Sequence, residues 1–202
     1  MRRTLPALLL GPALLAQTPA PAPAPAPARP GLKLGDPCPA FSLPGTDGRA
    51  HGPEGPEALL LVVFLSTECP YVLATQGRIN AYARQYAGRV RVLGINANDT
   101  DAHAKESLAE MKAQAAGQGF VFPYLKDAPQ ATTRAFGAVC TPDFFLFDAT
   151  RKLAYRGRMD DHWGDAAKVK VRDLEAATEA LLAGRPVAGP QVPSRGCSIK
   201  WK

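Results

Sequence analysis

Four thiols carry most of the chemistry this chain could do, and they sit in different settings. Cys69 stands in FLSTECPYVLA, at the end of the apolar, strand-forming run Leu59–Leu65 and just before residues Val72, Gln76, Ile79, Tyr82, Ala83 and Tyr86 at helical spacing. A thiol at the mouth of a helix meets the positive end of the backbone dipole and unpaired N–H groups, which favour thiolate over thiol. Pro70 suits the first helical turn, where its missing N–H would have had no partner. The position fits a nucleophile; a small buried hydrophobe closing the strand is the alternative. Cys38, Cys140 and Cys197 complete the set. No two form a CxxC pair, and none is spaced with histidines as in a closed zinc site, so neither a metal nor a cofactor is expected.

The elements that must position these residues can be read along the chain. Phe41-Ser42-Leu43 with Asp47-Gly48 predicts an opening hairpin. Strand 58–65, helix 70–87 and strand 90–95 form a βαβ unit. A helix at 101–117 ends at Gly117 and Gly119, followed by strand 120–125 and a short helix at 129–136. FFLFDATRKLAYRG reads as two strands joined by a four-residue turn, and a last helix covers 168–183 with Leu174, Ala177, Leu181 and Leu182 inward. The fold class is α/β, a mixed central sheet with helices on both faces.

The chain has 202 residues, room for one domain with a sizeable core. Its formal charge of +6 falls to +4 once Arg2 and Arg3 are set aside, too mild and dispersed for a nucleic-acid partner. Residues 1–16 read as a signal peptide: Arg2-Arg3, an apolar stretch from Leu5 to Leu15, and a cut at Ala16-Gln17. Leu14 is a poor residue for that cut, so an uncleaved leader is the alternative, and the only membrane contact expected. Residues 17–31 (PAPAPAPARP within them) form a Pro/Ala-rich spacer, and the folded domain is placed at 32–202. The expected location is periplasmic or secreted, where disulfides persist.

From about Leu32 onward the chain resembles the thioredoxin-fold superfamily. GDPCPAFSLPGTDG, CPYV, GINANDTDA, FPYLKD, VCTPDFFLFD, YRGRMDD and GCSIKW are similar to the bacterial peroxiredoxin-like thioredoxin-family proteins of the alkyl hydroperoxide reductase/thiol-specific antioxidant (redoxin) group. The resemblance implies a thioredoxin-like fold with an N-terminal hairpin and a redoxin-type helix–strand insertion at 101–125. It also implies Cys69 as nucleophile and Pro142 as cis-proline, with Thr67, Glu68, Pro70, Tyr71 and Thr141 lining the site. The chain departs from the family's patterns: Val72 stands where a CxxC resolver would be, Ser66 and Val62 match only half of the peroxiredoxin signature, and Glu68 replaces a histidine, a charge expected to oppose thiolate formation.

In that fold the cis-proline loop packs on the nucleophile, which makes Cys140 the expected resolving thiol. Cys197 is a competing resolver if the tail folds over the site, or a structural staple to Cys38. The expected activity is thiol–disulfide oxidoreduction on a protein or small-molecule disulfide or thiol, with an unidentified electron donor. The alternatives are a peroxiredoxin-like peroxidase and a Cu(I) carrier using Cys69, Cys140 and Cys197. Asp160, Asp161 and His162 are expected to be solvated charge; Arg156, Arg158, His51 and His103 carry no assigned chemistry.

Overall fold

A computed structural model describes Met1 and residues 31–202. The expected signal peptide and most of the spacer lie outside the described residues. In chain order the elements are β1 (Leu43–Pro44), β2 (Ala50–His51), β3 (Leu59–Phe64), α1 (Pro70–Gln85), β4 (Val90–Asn96), α2 (Leu108–Gly117), β5 (Tyr124–Lys126), α3 (Ala131–Phe136), β6 (Cys140–Thr141), β7 (Asp143–Phe147), β8 (Leu153–Gly157), α4 (Asp173–Leu182) and β9 (Cys197–Ser198). Five strands form the central sheet in the order β5-β4-β3-β7-β8; β3, β4 and β5 run parallel, and β7 and β8 are antiparallel to their neighbours. This is the mixed sheet expected.

Strand β3 divides the core. Leu59, Leu61, Val63 and Leu65 point to one face, where Val72, Ile79 and Tyr82 of α1, Met111 of α2 and Leu174 and Ala177 of α4 cover them. Leu60, Val62 and Phe64 point to the other, against Phe136 of α3, Phe145 and Phe147. A strand buried on both faces reads as a continuous apolar run rather than an alternation, which is why 59–65 contains no polar residue. Each of these side chains contributes about 1.5–3 kcal/mol by leaving water.

Several boundaries differ from the sequence expectation. The helix placed at 101–117 is a 3-10 turn over Ala104–Glu106, then α2 from Leu108. Ser107 separates them: its extended backbone (φ −70°, ψ 158°) stops the turn, and its hydroxyl accepts the Glu110 N–H to cap α2. Strand 120–125 shrinks to Tyr124–Lys126, because Pro123 has no N–H to give a ladder; the stacked Phe120 and Phe122 rings precede the strand. Helix 168–183 begins only at Asp173, since Asp161 Oδ1 accepts the N–H groups of Lys170 and Val171 and holds them extended. The opening hairpin is present but short, two residues paired with two.

Like that hairpin, a second pairing lies apart from the main sheet. Strand β9, in the C-terminal tail, runs antiparallel to β6, with Thr141 opposite Cys197 and Cys140 opposite Ser198. The Thr141–Pro142 peptide is cis. Gly196 is required at the crossing: a Cβ there would overlap the Thr141 carbonyl. Further anchors hold the tail on both sides of Cys197. Upstream, Arg158 N–H donates to Val192 O at 2.9 Å and Ser194 Oγ donates to Gly157 O at 2.7 Å. Downstream, Ile199 is buried in the second core and Trp201 lies under the Arg134 guanidinium, 4.5 Å from its ring centre.

Candidate active site

Cys69 is the N-cap residue of α1, with Pro70 following it as anticipated. Its backbone is fixed from below. Ser66 Oγ accepts the Cys69 N–H at 3.0 Å and the Glu68 N–H at 3.1 Å, and donates its own proton to the carboxylate of Glu106. The Cys69 side chain is 3% exposed. Its thiol donates to Thr141 O at 3.0 Å, and its sulfur lies 2.8 Å from the sulfur of Cys197. The cis-proline loop supplies the first contact and the tail strand supplies the second.

Burial opposes ionisation of Cys69, but hydrogen bonds from Cys197 and Thr141 and the N–H of Val72 in the first turn of α1 outweigh it, leaving the thiol below its ordinary pKa. The Thr141 hydroxyl is buried without a hydrogen-bond partner while Cys69 is a thiol. Ionisation gives it an acceptor. Burial, and then the hydrogen bond and charge of Cys69, push Cys197 up to about 11. Of the two sulfurs Cys69 is therefore the one favoured to ionise, and Cys197 the one that keeps its proton. The Glu68 carboxylate is half-exposed and faces Lys105 at 3.6 Å, a positive charge that offsets the effect expected of it.

Cys140 is buried, and burial together with the Asp143 charge pushes its thiol up to about 12. It donates to Pro142 O at 3.6 Å, and among the described residues it makes no hydrogen bond to Cys69. The charges of Cys69 and Cys197 also act on Cys140, but its contact is with the Pro142 carbonyl. Cys38 packs against the second core face, its thiol donating to Pro39 O at 3.5 Å and raised by burial to about 12. The structure thus brings Cys197 to Cys69, and neither Cys140 to Cys69 nor Cys38 to Cys197. All four cysteines are free thiols here. Among the described residues no three histidine, cysteine or acidic side chains converge as metal ligands.

Other expected site residues take clear places. Thr67 N–H donates to Glu106 Oε2 at 3.0 Å and Thr67 Oγ1 donates to Lys105 O. Tyr71 packs against Trp163, ring centres 4.1 Å apart and planes tilted by 37°. Asp160 is buried rather than solvated, ion-paired with Arg78 at 2.9 Å. Arg156 reaches Asp143 at 3.4 Å and Arg158 reaches Asp173 at 2.8 Å, so both serve the scaffold.

Sequence reasoning passed over the polar cluster beneath the thiols. Glu106 is 2% exposed and accepts from Ser66, Thr67, Asn96 and Asn98; these bonds outweigh burial and hold it below the usual carboxylate range. Lys126, its pKa lowered by burial despite the nearby Glu106 charge, donates to Asn98 O and Glu106 O. Asn98 Oδ1 accepts the Lys200 N–H, and Gln130 Nε2 donates to Lys200 O. One buried network therefore holds both the loop before Cys69 and the tail that carries Cys197. The signal available was the polar run in GINANDTDA at a strand end, where a solvated turn is the ordinary expectation.

The redoxin family model matches residues 33–177, most of the folded part, and the chain belongs to that family. A hypothetical protein of Sinorhizobium meliloti 1021 is 40% identical, with 86% of this chain and 97% of that one covered and a TM-score of 0.81. An uncharacterized conserved protein of Geobacillus kaustophilus is 38% identical, with 84% and 93% covered and a TM-score of 0.79. A thiol:disulfide interchange protein of the thioredoxin family from Chlorobium tepidum TLS shares the fold at 23% identity, with 65% and 87% covered and a TM-score of 0.51. No curated protein matches the chain. The protein is a redoxin with a thioredoxin-like fold.

Proposed function

We propose that this redoxin is an exported thiol–disulfide oxidoreductase whose redox couple is Cys69 and Cys197. The observation that carries the reading is the 2.8 Å contact between the two sulfurs, one at the N-cap of α1 and the other on β9, which its pairing with β6 holds beside Thr141 and Cys69. Oxidation of the pair joins the sulfurs and releases two electrons and two protons to a substrate disulfide; reduction by a donor dithiol reverses the step. The lowered pKa of Cys69 beside the raised pKa of Cys197 supports the assignment, since it makes Cys69 the better leaving thiolate when their disulfide is opened and Cys197 the sulfur that takes up the proton. Cys140, the resolver expected from sequence, is replaced in this role because its thiol faces Pro142 O. Export rests on the leader-like residues 1–16, and would place the couple where disulfides persist.

Mild oxidation with diamide followed by non-reducing peptide mapping tests the couple. The expected product joins the Cys69 and Cys197 peptides, forms unchanged in Cys140→Ser and is lost in Cys197→Ser. A Cys69–Cys140 product in the wild type would restore the sequence expectation.

A further inference from the structure

The couple just proposed leaves open which of its sulfurs meets the outside world, and this inference rests on that couple. We propose that Cys197, not Cys69, is the sulfur that bonds to the external thiol or disulfide, while Cys69 stays beneath the tail and exchanges only with Cys197. The usual assignment would give the outer role to the cysteine at the helix mouth, but access here runs the other way.

Cys69 is 3% exposed, closed in by the Thr141 carbonyl, the first turn of α1 and Cys197 itself, whereas Cys197 is partly exposed at the surface of the tail. Lifting the tail to uncover Cys69 would break the β6–β9 ladder, the Arg158–Val192 and Ser194–Gly157 bonds upstream, and the Asn98–Lys200 bond downstream, and would withdraw Ile199 from the core. Attack on a disulfide also proceeds in line with the bond being broken. A nucleophile aimed at Cys69 would have to reach a sulfur in a residue that is almost fully buried, whereas one aimed at Cys197 meets a partly exposed residue.

The leaving group agrees with the geometry. An external thiolate attacking Cys197 Sγ forms one S–S bond and breaks the Cys69–Cys197 bond, and the electron pair departs on Cys69, the sulfur that the helix N-terminus and Thr141 favour as thiolate. A second external thiolate then attacks the external sulfur of the mixed disulfide. It releases the external disulfide and Cys197 as thiolate, which takes up a proton. Two external thiols are oxidised and the protein gains two electrons. Reduction of a substrate disulfide retraces the path: Cys197 thiolate, formed by proton loss, attacks the substrate, and Cys69 then attacks Cys197 to expel the second substrate thiolate.

Sulfite reads the choice directly, because its attack on a disulfide leaves an S-sulfonate on the sulfur struck and a free thiolate on the other. The oxidised full chain is treated with sulfite at neutral pH, quenched in acid, alkylated and mapped. The expected result is S-sulfonate on Cys197 with alkylated Cys69, in about tenfold or greater excess over the reverse. An even split, or sulfonate mainly on Cys69, overturns the inference while leaving the couple intact. Absence of a Cys69–Cys197 disulfide in the starting material overturns the couple itself. Gly196→Ala supplies the converse, since its Cβ pushes the tail off Thr141: the Cys69 share of sulfonate should rise there, and an unchanged split would mean that the tail does not govern access.

Discussion

The backbone N–H of Lys200 donates to Asn98 Oδ1 at 2.9 Å, and through Asn98 Nδ2, 2.9 Å from Glu106 Oε1, the tail is joined to the carboxylate that also holds Ser66. Two chain segments far apart in sequence thereby share one set of hydrogen bonds. The sulfurs they carry meet because that network fixes both. A side chain that only filled space would be replaceable by another of similar volume; Asn98 is not, because it gives to one segment and accepts from the other.

Replacing Asn98 by alanine leaves the Lys200 N–H without its side-chain acceptor and removes one donor from the Glu106 carboxylate. The expected cost is about 1–3 kcal/mol of stability. Formation of the Cys69–Cys197 disulfide under diamide should slow by more than that loss of folded protein explains. Thermal melting together with thiol quantification checks both, and a disulfide rate equal to that of wild type would remove Asn98 from the positioning of the couple.

The contrast between this network and the core shows what a sequence displays. Leu59–Leu65 was legible because a doubly buried strand must be apolar along its whole length, and Cys69-Pro70 was legible because a helix start restricts the residues that fit it. Strand and helix existence followed, as did the mixed sheet. Boundaries slipped where a single side chain decided them, as Ser107 does for α2 and Asp161 does for the stretch before α4. The partner of Cys69 depends on a contact 128 residues away, set by a two-residue strand with no periodicity of its own. Glu106, Asn98 and Gln130 look like surface residues in sequence; only the topology, which draws the ends of β3, β4 and β5 together with the tail, makes them interior.

Glu106 sets an acid limit on the fold. Its folded pKa lies below its ordinary 4.5, so its contribution is fully present above that pH and is lost as pH falls through the folded value. In Glu106→Gln one carboxylate oxygen becomes an NH2 group facing two donors, either Ser66 and Asn98 or Thr67 and Asn96. The variant should be less stable at neutral pH by about 2–3 kcal/mol, and its stability should fall less steeply than that of wild type below pH 4.5. Denaturant titrations between about pH 3 and about pH 7, which span the carboxylate transition, check this. Parallel acid limbs in the two proteins would show that Glu106 does not titrate as described.

Thr141 offers a cleaner probe of the thiolate. Its hydroxyl is buried without a partner, and it lowers the Cys69 pKa by donating to the ionised sulfur. Thr141→Val keeps the shape and the carbonyl that accepts from the neutral thiol. The pH midpoint for alkylation of Cys69, read by peptide mapping in a Cys197→Ser background so that only one partner of the couple remains, should move upward relative to the same background with Thr141. Stability should hold or rise slightly, because an unsatisfied polar group has been removed. A midpoint that stays in place would assign the low pKa to the helix terminus alone.

Peroxide is the remaining substrate class that the family suggests. Rapid peroxide reduction needs an accessible thiolate and free donors that polarise the O–O bond and stabilise the departing oxygen. Ser66, the hydroxyl that matches the surviving half of the peroxiredoxin pattern, gives its proton to Glu106 and accepts from the backbone of Glu68 and Cys69, so it has none to offer a peroxide. Cys69 is covered by Cys197, whose own thiol is held protonated to about pH 11. Cys69 is therefore closed to peroxide by access, and Cys197, ionised only in small part at neutral pH, supports slow exchange but not the rapid attack a peroxidase needs. Hydrogen peroxide should be consumed little faster than by an ordinary exposed thiol, while exchange with a dithiol or disulfide proceeds and depends on Cys69 and Cys197. Stopped-flow oxidation of the reduced protein decides the matter: fast, saturable consumption that disappears in Cys69→Ser would make this redoxin a peroxidase and would require the tail to open during turnover.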